Sequence, residues 1–95
     1  MVTPETRDIV ARSEDAAYRV VDGCAVIVTS RNGRVVRLNR IGTRVWEMLG
    51  DRNLEQLAME LDGAFSIGAE RALRDVTSFI EALQVRGLAV VKRSR

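Results

Sequence analysis

The side chains most able to act on another molecule are arginines. Fourteen of the fifteen basic residues are arginine, and Lys92 is the exception. Arg31, Arg34, Arg37, Arg40 and Arg44 fall within fourteen positions. A guanidinium presents a planar fork of donors matched to carboxylates and phosphates and keeps its charge when partly buried. The net charge is only +2, too small to mark a nucleic-acid binder. The clustering therefore carries the information, and it fits either an acidic partner or a solvated face. Catalytic chemistry finds less support. The chain has no histidine, the commonest general base and metal ligand. Cys24 is the only cysteine, so neither an internal disulfide nor a Cys-rich zinc site can form, and it reads as a small strand hydrophobe. Glu14-Asp15, Glu60 with Asp62, and Glu70 with Asp75 lie in a polar segment or beside helical arginines, as solvated carboxylates do. Gly63 and Gly68 flank Ala64-Phe65-Ser66-Ile67 without the Lys-Ser/Thr of a phosphate loop. No catalytic residue, metal or other cofactor is expected. The composition is that of a binder rather than an enzyme.

The elements that must position those arginines follow from the hydrophobic pattern. Ninety-five residues, 46% hydrophobic and 29% charged, suffice for one small globular domain. Residues 1–16 are polar, aperiodic and lack the apolar core of a signal peptide, so they are expected to form a loosely ordered arm. Residues 17–95 form the domain. No apolar run approaches the ~18 residues of a membrane span, and a soluble cytoplasmic protein is expected.

From Ala17 the period is two. Tyr18–Val21 and Cys24–Ser30 flank Asp22-Gly23, and Arg34–Asn39 follows across Asn32-Gly33. The result is a three-stranded antiparallel meander. A two-residue second loop would set Arg31 opposite Arg34, whereas a four-residue loop avoids that like-charge pair. In either register Ile27, Val36 and Leu38 share the face expected to be buried, and Val28, Val35 and Arg37 share the other.

Beyond Asn39 the period becomes 3.6. Asn39 caps a helix carrying Ile41, Val45, Met48 and Leu49, stopped at Gly50-Asp51. Asn53, with Gln56 as capping-box partner, starts a second helix with the stripe Leu54, Leu57, Ala58 and Leu61, closed by Gly63. Ser66 is the expected cap of a third, whose apolar positions Ala69, Ala72, Leu73, Val76, Phe79, Ile80 and Leu83 are too wide for one seam. Gly87 ends it. Leu88–Lys92 is a short terminal strand, followed by a basic tail. Trp46, Tyr18 and Phe65 read as packing residues. The expected fold class is α+β and winged-helix-like, with the meander followed by three helices and the C-terminal strand.

Two binding classes are consistent with this arrangement. Three helices and a wing suit a small DNA-binding regulator, with Arg71 and Arg74 on the reading helix. Glu70, Asp75 and Glu81 interrupt that positive field, and nucleic acid is not the expected partner. The other class uses the edge strand Arg34–Leu38, whose unpaired backbone groups can accept an extended peptide, with the spare flank of the third helix as a wall. The arginines would favour an acidic peptide. Val36→Pro is expected to remove an edge donor. The same open edge leaves homodimerisation as an option.

Leu38–Leu49 (LNRIGTRVWEML), Leu54–Leu61 (LEQLAMEL) and Ala69–Val90, with Asp75-Val76, Phe79, Leu83 and Gly87-Leu88, together resemble the PqqD family. That family is the recognition-element fold of ribosomally made peptide natural products, and the resemblance spans roughly Ala17 to Val91. It implies a non-catalytic chaperone that takes the leader segment of a precursor peptide as an added strand. The chaperone then presents the precursor to a modifying enzyme, a radical SAM protein or a leader peptidase. By position, the resemblance implies a cleft strand of Arg34, Val35, Val36, Arg37 and Leu38. The helical wall would be Arg71, Ala72, Asp75, Val76 and Phe79.

Overall fold

The computed structural model describes residues 4–93. The strands are β1 (Ile9–Arg12), β2 (Ala16–Val21), β3 (Cys24–Thr29), β4 (Val35–Arg37) and β5 (Ala89–Lys92). The helices α1 (Arg40–Met48), α2 (Leu54–Phe65) and α3 (Ala69–Val85) lie between β4 and β5. β2, β3 and β4 form the antiparallel meander, with β3 in the middle. Asp22 and Gly23, at φ 51° and 79°, make the tight first turn, the two-residue geometry in which both central residues adopt positive φ. In the second hairpin Val28 pairs with Val35, and the Thr29 N–H donates to the Arg34 carbonyl at 3.4 Å. The four-residue loop is therefore the one adopted, and Arg31 does not face Arg34. Arg31 instead forms an ion pair with Asp15 at 3.3 Å.

Ile27 is fully buried, Leu38 is buried and Val36 half-buried, whereas Val28, Val35 and Arg37 are exposed. The core forms where this sheet face meets the helices. It unites Ile27 and Ala25 with Val45 and Trp46 of α1, Leu57 and Leu61 of α2, and Val76, Ile80 and Leu83 of α3.

Side chains fix the helix ends. The Asn39 Oδ1 accepts from the Gly42 N–H at 2.7 Å. Asn53 and Gln56 exchange side-chain and backbone hydrogen bonds at 2.8 and 2.9 Å, the reciprocal capping box. At the end of α3, the Gly87 N–H donates to the Gln84 carbonyl and the Leu88 N–H to the Leu83 carbonyl. This paired closure requires the positive φ that Gly87 adopts, 72°.

Three local expectations are corrected. Gly63 does not close α2, which runs on to Phe65. Ser66 caps the C-terminus of α2 in the left-handed region, at φ 53°, rather than the N-terminus of α3. Gly68 occupies that latter position, its N–H donating to the Asp62 Oδ1 at 2.8 Å. A three-residue connector, Ser66-Ile67-Gly68, satisfies both helix ends at once, which sequence spacing cannot apportion.

The third correction concerns the amino-terminal segment. Residues 9–12 are strand β1, paired antiparallel with β5 from Ile9 with Lys92 to Arg12 with Ala89. Val10 is fully buried. Asp8, 2% exposed, accepts from the Glu5 N–H at 2.9 Å and from Arg93 at 3.0 Å. Arg93 of the expected basic tail is thus engaged with this segment, while Met1–Thr3 and Ser94-Arg95 lie outside the described residues. Four residues are too few to display a period, and the partner strand lies some eighty positions away in sequence. No helix is long and apolar enough to cross a membrane among the described residues.

Candidate functional site

β4 is an edge of the meander, and its hydrogen-bond parity decides which backbone groups are open. The Leu38 N–H donates to the Ala25 carbonyl at 2.9 Å, and the Thr29 N–H to the Arg34 carbonyl. In an antiparallel ladder, directly opposed residues alternate between bonded and non-bonded pairs. Arg34, Val36 and Leu38 therefore turn their backbone groups toward β3, and Val35 and Arg37 turn theirs outward. The expectation for Val36→Pro is corrected accordingly. Proline there would break the β3–β4 ladder, and the open donors belong to Val35 and Arg37.

The side chains follow the opposite rule. Arg34, Val36 and Leu38 project from the face that looks toward α3, and a groove runs between them and that helix. It holds three cavities. One of about 280 Å³ is lined by Arg37, Leu38, Ile41, Gly42, Val45, Leu61, Asp75, Val76 and Phe79, with Asn39. A second of about 190 Å³ is lined by Val36, Arg37, Leu38, Phe79, Ala82, Leu83 and Arg86. The third, about 540 Å³, lies between Thr29, Asn32, Arg34, Val35 and Val36 on one side and Val85, Arg86 and Leu88 on the other. Arg37, Leu38 and Phe79 border both of the first two, and Val36 and Arg86 border both the second and the third.

The groove is held open by local features of the sequence. The Thr43 side chain, buried in α1, accepts from the Ala25 N–H at 2.7 Å and fastens α1 to β3. Gly42 lets Phe79 approach, since a Cβ there would lie 3.2 Å from the ring. Thr29 donates to Asn32 Oδ1 at 2.6 Å and the Arg34 N–H donates to the same oxygen at 3.0 Å, fixing the loop at the wide end.

The structure gathers most, not all, of the residues expected here. Arg34, Val35, Val36, Arg37 and Leu38 line the groove from the strand side, and Asp75, Val76 and Phe79 from the helix side. Ala72 is fully buried in the core and lines none of the three cavities. Arg71 is exposed and bound to Asp75 at 3.5 Å, one helical turn along. The sequence reading stopped the helical wall at Phe79, but the wall continues through Ala82, Leu83 and Arg86. Those positions stand three, four and seven residues beyond Phe79, so helical spacing alone could have found them. The contributions of Ile41, Gly42 and Val45 depend on how α1 packs, for which the sequence holds no local signal.

Apolar side chains are exposed around the groove: Val35 at 59%, Ile41 at 46% and Val85 at 69%. No group of three or more His, Cys, Asp or Glu side chains gathers at metal-binding distance among the described residues. The arrangement suits an extended chain: two outward backbone residues to pair with, and apolar hollows beneath alternate positions.

Comparison with known proteins bears on the family and the fold. The family model for coenzyme PQQ synthesis protein D (PqqD) matches residues 24–89. No curated protein sequence matches the chain. Among solved structures, TbiB1 in complex with the TbiA(beta) leader peptide superimposes with a TM-score of 0.78 at 23% identity, covering 83% of this chain and 93% of that one. Lasso peptide synthetase B1 complexed with the leader peptide superimposes with a TM-score of 0.72 at 16% identity, covering 85% and 96%.

Proposed function

The chain belongs to the PqqD family, and from that premise we propose that it is a non-catalytic chaperone for the leader segment of a ribosomally synthesised precursor peptide. The leader adds to β4 as a fourth strand of the meander, and the chaperone presents the precursor to a modifying enzyme, a radical SAM protein or a leader peptidase. The observation that carries this reading is the open edge at Val35 and Arg37 directly above an apolar groove. Two similar folds were solved with leader peptides bound, which supports the same reading. The alternative, a DNA-binding regulator with α3 as reading helix, finds no support in the side chains. Arg71 is bound to Asp75, and Val76 and Phe79 face the groove.

Backbone pairing at two residues offers at most four hydrogen bonds, each contributing about 0.5–1.5 kcal/mol net. Most discrimination must then come from side chains seated in the cavities.

Calorimetric titration with the synthetic leader of a precursor encoded beside this protein's gene tests the proposal. Wild type is expected to bind, and Val35→Ala to bind nearly as well. Val35→Pro deletes one outward donor and should weaken binding by about five- to tenfold, on the order of one hydrogen bond. Proline is tolerated on an edge strand when its missing donor faces outward, so circular dichroism should show an intact fold. Equal affinity of a folded Val35→Pro variant overturns edge addition. No binding by wild type at hundreds of micromolar overturns the chaperone role.

A further inference from the structure

Charged side chains line the groove along its whole length. At the narrow end the acidic group is Asp75, bound to Arg71. At the wide end Arg34, just before β4, and Arg86, the C-terminal cap of α3, both line the largest of the three cavities. Neither has a carboxylate within 4 Å among the described residues. The nearby Asp15 lines the adjoining hollow with Arg31 and Arg86, and its carboxylate is bound to Arg31. Two arginines lining one hollow offer it the planar forks that bind a carboxylate bidentately.

Resting on the edge-addition reading above, we infer that the cavity between Arg34 and Arg86 is a specificity subsite for an aspartate or glutamate of the bound peptide. Its position along the peptide follows from strand geometry. Residues directly opposite Leu38, Val36 and Arg34 project from the same face as those residues, toward α3, because side chains alternate along a strand. Leu38 and Arg34 are four residues apart, about 13 Å at the strand rise. The cavity beside Leu38 is walled by Val76, Phe79 and Val45 and takes an apolar side chain. So does the small cavity beside Val36, where Phe79, Ala82 and Leu83 outnumber the two arginines, Arg37 and Arg86, that also line it. Every strand pair in this sheet is antiparallel, and antiparallel pairing is the slightly more stable arrangement. The incoming peptide then runs from the Asp75 end to the Arg86 end. It is read as apolar, any residue, apolar, any residue, acidic.

Arg37 does not share this role. It lines the other two cavities and not the one that Arg34 and Arg86 share.

Selection of phage-displayed random dodecapeptides on the full chain tests the assignment. The expected enrichment is an acidic residue two positions after the second of two alternating apolar residues. In the Arg34→Glu, Arg86→Glu double variant, folded by circular dichroism, the last position should change to lysine or arginine. A wild-type-selected peptide should bind that variant at least about tenfold more weakly, consistent with loss of charge-assisted hydrogen bonds. Enrichment of the apolar pair with no preference at the last position overturns the carboxylate subsite and leaves edge addition standing. An acidic residue preceding the apolar pair overturns the antiparallel placement and the pattern with it. Selected peptides that bind Val35→Pro as tightly as wild type overturn edge addition itself, as does a failure to enrich any peptide.

Discussion

Phe79 and Gly42 show how one contact shapes recognition. Phe79 is half-buried and borders two of the groove's cavities. Phe79→Ala should merge them and reduce leader affinity by tenfold or more in calorimetry. Its cost to stability should stay below the roughly 3–5 kcal/mol of a fully buried phenylalanine. Gly42→Ala acts on the same ring from behind. The new Cβ would meet the ring at 3.2 Å and the Asn39 Oδ1 at 3.2 Å. A helical Gly→Ala change gains about 1 kcal/mol of propensity, which offsets the crowding. Thermal stability should therefore move little while leader affinity falls several-fold, because the ring is pushed toward the groove. An unchanged affinity would show that Phe79 has room to yield. Glycine at this position reads from sequence as a poor helix residue, and only the packing of α1 on α3 gives it a purpose.

At the level of elements, the strand pair β1–β5 anchors both ends of the described chain to the helices. The Val10 N–H donates to the Arg52 carbonyl and the Gly50 N–H to the Val10 carbonyl, so β1 also closes the loop between α1 and α2. Arg12 donates to the Trp46 carbonyl at 2.8 Å, satisfying the end of α1, and lies over the rings of Tyr18 and Trp46 at 5.4 and 5.9 Å. Removing residues 1–12 should therefore do more than trim an arm. It uncovers Val10's site in the core, orphans β5 and frees the α1 carbonyls. We expect a large loss of thermal stability or no cooperative unfolding by circular dichroism. A melting temperature unchanged by removing residues 1–12 would show that β1 contributes nothing to the fold. The meander and the three helices were legible because local pattern specifies them: Asp-Gly at a tight turn, Asn39 and Asn53 as caps, period two giving way to 3.6. β1 was not, since its pairing is non-local and its four residues carry no periodic signal.

For the molecule as a whole, binding and folding report through different residues. Trp46 is fully buried against Tyr18, ring centroids 5.5 Å apart at 88°, and lines none of the groove's cavities. Its fluorescence should follow global unfolding, coinciding with circular dichroism as a small two-state domain requires. It should change little on adding leader. A large shift on peptide addition would mean that binding repacks the core. Sequence alone determined the order of the meander and helices and the face of β4 that is buried, because each depends on neighbours in the chain. Where the arginines act depended on the tertiary fold. Arg31 is held by Asp15 and Arg71 by Asp75, while Arg37 faces solvent. Arg86, far from the cluster in sequence, comes across the groove from Arg34. Clustering in sequence reports composition along the chain. A charge site needs proximity in space, and here it comes from the placement of α3 across a groove from an edge strand some fifty residues earlier.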